Sequence, residues 1–190
     1  GMLGRSSDYI NVEIMAAAAA ADFYHQNDPR FGENARNYYE YARENDLCMT
    51  HTLVNPQSNR ALTASGHPSA DVALRIVDEN ADGMVVRGAR ILATLGPLAD
   101  EIMVFPSTVL KAASDTNSFA FAFTIPCGTP GMKLICRESL VYSESQIDHP
   151  LGSRFEEMDT IVVFDDVLVP WDRVFLKSDP ELCSRHFPET

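Results

Sequence analysis

Basic residues are scarce in this chain of 190 residues: 15 Lys and Arg stand against 27 Asp and Glu, a formal net charge of −12. A surface of that sign cannot neutralise a phosphate backbone, which argues against a nucleic-acid partner. Long apolar runs are also missing. The longest, Ile14 to Ala21, is far short of the ~20 residues that cross a bilayer. The first residues lack the basic start and apolar core of a secretory signal, so the expected location is the cytoplasm. Cys48, Cys127, Cys136 and Cys183 form no Cys-x-x-Cys pair and match no zinc spacing, which suits reduced thiols and no bound metal. The glycine patterns that cradle nucleotide phosphates, the His-Glu-x-x-His zinc motif and the Gly-x-Ser-x-Gly elbow are all absent.

What is present divides in two. Ser6, Ser7 and Asp8 are good helix N-cap residues. After them, residues 9–26 contain no proline or glycine and carry six consecutive alanines, Ala16 to Ala21. Small side chains let a helix pack close to its neighbours. A second helix is expected over 31–45. From Cys48 the pattern changes to short β-rich segments: 50–55, 73–78, 84–92, 101–105, 118–125, 133–137 and 160–167. Glu79 to Gly83 reads as a hairpin loop, with Gly83 where positive φ is tolerated. Pro170-Trp171 marks the close of the last strand pair. Helices first and strands after, without a βαβ rhythm, predict an α+β fold. Its seven or eight antiparallel strands are expected to close into a barrel-like domain, because closure removes edges.

Three constellations could carry chemistry. Arg5 and Tyr9, four apart at a helix start, could hold a phenolate or carboxylate; a plain N-cap beside an exposed arginine is the plainer reading. His51, in a strand and followed by the polar run Asn55 to Arg60, suits proton transfer near neutral pH; a satisfied strand histidine is the plainer reading. The segments Leu92 to Pro97 and Phe105 to Thr108 would let a ligand approach backbone amides, or are simply turns.

The same segments carry a family likeness. Gly4-Arg5-Ser6-Ser7-Asp8-Tyr9-Ile10-Asn11, Thr50-His51-Thr52-Leu53-Val54-Asn55-Pro56-Gln57, the run Gly88 to Glu101 and the run His149 to Asp159 occur in order along the chain. Together they resemble the 4-hydroxyphenylacetate 3-hydroxylase family. Phe164 to Trp171 is similar more broadly to the acyl-CoA dehydrogenase-like superfamily. The resemblance implies a helical N-terminal region over 1–47, a β-barrel middle domain over 48–178, and a linker over 179–190 to a C-terminal helical bundle that is absent here. It implies that Arg5, Tyr9 and His51 surround a phenolic hydroxyl and carry catalysis. Ser107 and Thr108 would meet the substrate carboxylate. His51, Thr52, Leu53, Gln57, Ser58, Asn59, Arg60 and Thr94 would line FAD.

The activity so implied is hydroxylation of 4-hydroxyphenylacetate to 3,4-dihydroxyphenylacetate, through a flavin C4a-hydroperoxide formed from FADH2 and O2. A separate reductase would supply FADH2, because the sequence has no nicotinamide-binding pattern. The full-length protein would be a tetramer. Chlorophenols, nitrophenols and tyrosine-like units are the other substrates the family suggests. Three rivals stand beside this reading. A 4-hydroxybutyryl-CoA dehydratase-like enzyme would need a Cys-x3-Cys pair that the sequence lacks. An acyl-CoA dehydrogenase-like enzyme would place its base outside this chain. A truncated, non-catalytic subunit would only associate with others.

Overall fold

A computed structural model describes residues 9–56, 72–107, 114–139, 147–151, 154 and 158–190. Three helices come first. α1 spans Tyr9–Ala19, α2 Ala21–His25 and α3 Pro29–Glu44. The single helix expected over 9–26 is thus two, divided at Ala20, whose backbone leaves helical geometry (φ −92°, ψ 25°). α3 begins where Asp28 accepts a hydrogen bond from the Arg30 backbone N–H at 2.9 Å, with Pro29 in the first turn. Its buried face, Phe31, Ala35, Tyr38 and Ala42, follows helical spacing. The alanine run serves close packing: Ala17 and Ala21 are buried, and a Cβ on Gly32 of α3 would meet the Ala21 carbonyl at 2.5 Å.

Eight strands follow: β1 Met49–Thr52, β2 Arg75–Glu79, β3 Gly83–Thr94, β4 Glu101–Val104, β5 Phe121–Pro126, β6 Met132–Cys136, β7 Asp159–Pro170 and β8 Val174–Lys177. They form two four-stranded sheets, ordered β1-β4-β5-β8 and β2-β3-β7-β6. The expectation of one closed antiparallel barrel is corrected twice. First, β1 and β4 are parallel, with Met49 beside Glu101 and Thr52 beside Val104. Second, among the described residues no ladder joins the sheets. Where β1 approaches β3 the links include one isolated bridge, Val54 to Ile91, and two threonine hydroxyls. Thr50 Oγ1 donates to the Thr94 carbonyl at 2.5 Å and Thr52 Oγ1 to the Ile91 carbonyl at 3.1 Å. Side chains thus take the bonds that a closed barrel gives to backbone.

Two local expectations also change. The strand expected from Ser118 starts at Phe121, behind a 3-10 turn over Ser114–Phe119. Gly83 does end the Asn80–Asp82 turn, where Asn80 Oδ1 accepts from the backbone N–H of Asp82 and Gly83. Its φ is not positive, however. Glycine is required because a Cβ there would meet the Val169 carbonyl oxygen at 2.0 Å.

The core lies between the sheets and under the helices. Phe121 and Phe123 of β5 pack toward Phe164 of β7, with Met84, Val86, Val162, Val167 and Val169 fully buried around them. Each such side chain contributes about 1.5–3 kcal/mol on burial. The helices cover the other face of the first sheet, where Phe175 of β8 meets the rings of Tyr24 and Tyr38. Past Trp171 the chain adds β8 and then α4 (Pro180–Glu189). Asp179 caps α4 by accepting from the Leu182 N–H at 2.8 Å, and Leu182, Cys183 and His186 turn inward.

Candidate active site

The first turn of α1 reaches the middle of β1. Tyr9 Oη lies 2.9 Å from His51 Nδ1, and the two rings meet edge to face at 5.7 Å. Both are half-buried. The strand's alternation puts Thr50 and Thr52 toward β3 and turns His51 toward the helices. Behind His51 stands Phe105, just past β4, at 5.8 Å between ring centres. Phe105 in turn touches His186 (5.7 Å) and Phe187 (5.6 Å) of α4. His186 Nε2 is 3.0 Å from Tyr24 Oη. Burial pushes the His186 pKa down to about 4, so its ring is neutral. Burial also drives the Tyr24 hydroxyl well above its ordinary range. An aromatic file thus runs Tyr9, His51, Phe105, His186, Tyr24, of which Phe105, His186 and Tyr24 are buried.

Of the residues expected at the site, the fold brings Tyr9 and His51 into contact. Ser107 is buried beyond the end of β4, and its Oγ has no hydrogen-bond partner. Asn55, in the equivalent place beyond β1, likewise buries an unpartnered Oδ1. The backbone N–H of Phe105 donates to the Thr52 carbonyl, which closes the parallel pairing of Thr52 with Val104. The parallel pairing carries Asn55 and Ser107 to the same end of the sheet. Thr94, at the end of β3, gives its hydroxyl to Asp159 at 2.7 Å, and the Thr52 hydroxyl is likewise engaged within the protein. Leu53 is half-buried, and Leu92 on the neighbouring strand is 57 % exposed. Arg5, Gln57, Ser58, Asn59, Arg60 and Thr108 lie outside the described residues.

For a flat ring system such as a flavin, the half-buried Leu53 and the exposed Leu92 offer apolar surface. Asn55 and Ser107 add unpartnered polar atoms. The hydroxyls and carbonyls of Thr52 and Thr94 are already bonded within the protein. The donor set is compatible with the cofactor expected from the sequence. No group of acids, histidines and cysteines among the described residues could hold a metal ion.

Sequence reasoning missed Arg90. It is fully buried, yet its Nε and Nη2 have no partner. Its Nη1 donates to the Leu53 carbonyl at 2.6 Å, and its guanidinium carbon lies 5.3 Å from the Phe121 ring centre. The signal was available in the period of β3. Met84, Val86, Gly88 and Arg90 share one face, and the first three are core positions.

Helices ahead of two sheets define the class as acyl-CoA dehydrogenase-like in fold. An archaeal 4-hydroxybutyryl-CoA dehydratase from N. maritimus, 20 % identical, superposes with a TM-score of 0.77 over 90 % of this chain and 36 % of that one. The family is narrower. Residues 1–176 match the model described as 4-hydroxyphenylacetate 3-hydroxylase N terminal, and the chain belongs to that family. The oxygenase component of 4-hydroxyphenylacetate 3-monooxygenase from Geobacillus sp. (strain PA-9) is 54 % identical over all 190 residues. A crystal structure of such an oxygenase component, complexed with FAD and 4-hydroxyphenylacetate, is 51 % identical. It superposes with a TM-score of 0.87 over 98 % of this chain. The chain spans 38 % of the length of both.

Proposed function

We propose that this chain carries the phenol-binding face of the oxygenase component of a two-component, FADH2-dependent monooxygenase that hydroxylates 4-hydroxyphenylacetate ortho to its hydroxyl. The observation that carries the reading is the 2.9 Å contact between Tyr9 Oη and His51 Nδ1, made by two residues from separate family segments. A ring hydroxyl placed against this pair can donate its proton to the imidazole and accept from the tyrosine. An electron-rich ring is what ortho-oxygenation needs, and ionising a phenol, whose pKa is near ~10, enriches the ortho carbon. Arg5 would favour the phenolate by opposite charge. Ser107 and Thr108 would receive the carboxylate at the far end, through backbone amides. FAD would rest on His51, Thr52, Leu53, Thr94 and the run Gln57 to Arg60, and when bound in its reduced form supplies the activated oxygen.

The same reading places the domain boundaries at 47/48 and 178/179, a reductase as partner, a tetramer as the full-length assembly and the cytoplasm as the location. The test is to give the full-length protein reduced FAD, 4-hydroxyphenylacetate and isotopically heavy O2. The product should be 3,4-dihydroxyphenylacetate with one heavy oxygen on the ring. Turnover of an acyl-CoA or hydroxyacyl-CoA, with no labelled catechol, would favour the dehydrogenase-like or dehydratase-like readings.

A further inference from the structure

We propose that Phe105 is a positioning residue for His51: its ring, backed by α4, holds the imidazole in the orientation that meets a phenol hydroxyl beside Tyr9. The inference rests on the phenol-binding reading above. To accept a proton, an imidazole nitrogen must come within hydrogen-bond reach of the ligand, about 2.6–3.2 Å. The contact with Tyr9 fixes one ring nitrogen at 2.9 Å. A single hydrogen bond is a pivot about which the ring can still turn, and χ1 offers other staggered wells. A second contact from a separate element removes that freedom.

Phe105 supplies that contact. Its ring centre lies 5.8 Å from that of His51, with the two planes inclined at 67°. The backbones are tied as well, because the Phe105 N–H donates at 2.9 Å to the carbonyl of Thr52, the residue after His51. The strand alternation agrees. Glu101 of β4 accepts from Tyr38 of α3, and Phe105, four residues on, falls on the same helix-facing side. Phe105 is itself caged. His186 and Phe187 of α4 meet its ring at 5.7 and 5.6 Å, and His186 Nε2 lies 3.0 Å from Tyr24 Oη of α2. At 2 % exposure Phe105 has almost no surface to offer a ligand, so its influence passes through the imidazole. The residues of α4 are thereby part of the support of the site, two ring contacts behind His51.

The test is a double-mutant cycle on the full-length protein, read as single-turnover formation of 3,4-dihydroxyphenylacetate from reduced FAD, O2 and 4-hydroxyphenylacetate. Phe105→Leu should slow product formation about fivefold, the worth of one aromatic ring contact, while substrate affinity changes by less than about twofold. Beside His51→Ala the same substitution should change the residual rate by less than about twofold, because the group it positions is gone. An equal slowing in both backgrounds would overturn the inference, since Phe105 would then shape the fold and not the imidazole. So would an unchanged rate in a folded Phe105→Leu variant; either result leaves the phenol site standing. No catechol from the wild type would overturn the phenol-binding reading and the inference with it. If Phe105→Leu does not fold, Phe187→Ala, at a ring that is 45 % exposed, takes its place in the cycle. It should slow the wild type about twofold and leave the His51→Ala rate unchanged, and no slowing would overturn the inference.

Discussion

Tyr9 and His51 are 42 residues apart in sequence and 2.9 Å apart in space, one on the first turn of α1 and the other at the centre of β1. The contact ties the helical region to the first sheet through the two side chains best suited to a phenol. Tyr9→Phe keeps the ring and removes the hydroxyl. It should weaken 4-hydroxyphenylacetate binding about tenfold, the usual worth of one buried hydrogen bond, and leave phenylacetate binding unchanged. Calorimetric titration with both ligands checks this; equal losses for the two would mean that Tyr9 does not meet the ring hydroxyl.

His186 makes stability depend on pH in a defined window. Its pKa falls from 6.5 to about 4 in the folded chain, so the unfolded chain binds the extra proton between those values. Stability from this group is therefore full above about 6.5 and is lost as pH falls toward about 4, by roughly 3 kcal/mol in all. Urea denaturation of the wild type and His186→Gln across that range should show a shallower loss in the variant. Parallel slopes would contradict the assignment.

Glu101 is 3 % exposed and is held by Arg173 at 2.7 Å and by the Tyr38 hydroxyl at 2.7 Å. Arg173 also lies over the rings of Tyr38 and Tyr41. Glu101→Ala leaves the half-buried Arg173 without its partner and should destabilise the fold by about 3–5 kcal/mol. Arg173→Met should cost less than Glu101→Ala if packing over the two rings is retained, as denaturation midpoints would report.

Gly88 has φ +124°, and a Cβ there would meet the Ala73 carbonyl oxygen at 2.5 Å. Gly88→Ala combines backbone strain with a clash against backbone that cannot yield. A loss of about 2 kcal/mol or more is expected, measured as a lowered unfolding midpoint.

Most strands and the helix over 31–45 were legible because their period is local, and Glu79 to Gly83 marks the β2–β3 turn. The helix in fact starts earlier, at Pro29, and α4 (Pro180–Glu189) stands where a linker over 179–190 was expected, its ten residues too few for a period to declare itself. Strand partners were not legible. β1 and β4 lie side by side in parallel although β2 and β3 intervene in sequence and belong to the other sheet. No alternation pattern encodes that choice. β8 is four residues long, too short for a period to declare itself. At the site, Tyr9 and His51 could be singled out by chemistry, but their contact depends on how α1 docks on β1. Arg90 was overlooked because charge in a strand usually faces water, as Arg87 does in its ion pair with Asp166.

The most direct test of the account is catechol formation by the full-length protein and its His51→Ala variant, side by side, with reduced FAD, O2 and 4-hydroxyphenylacetate. The account predicts 3,4-dihydroxyphenylacetate from the wild type and at least a 100-fold slower rate from the variant (roughly the lower bound for losing a general base), with oxygen diverted to hydrogen peroxide. Undiminished catechol formation without the imidazole would contradict it.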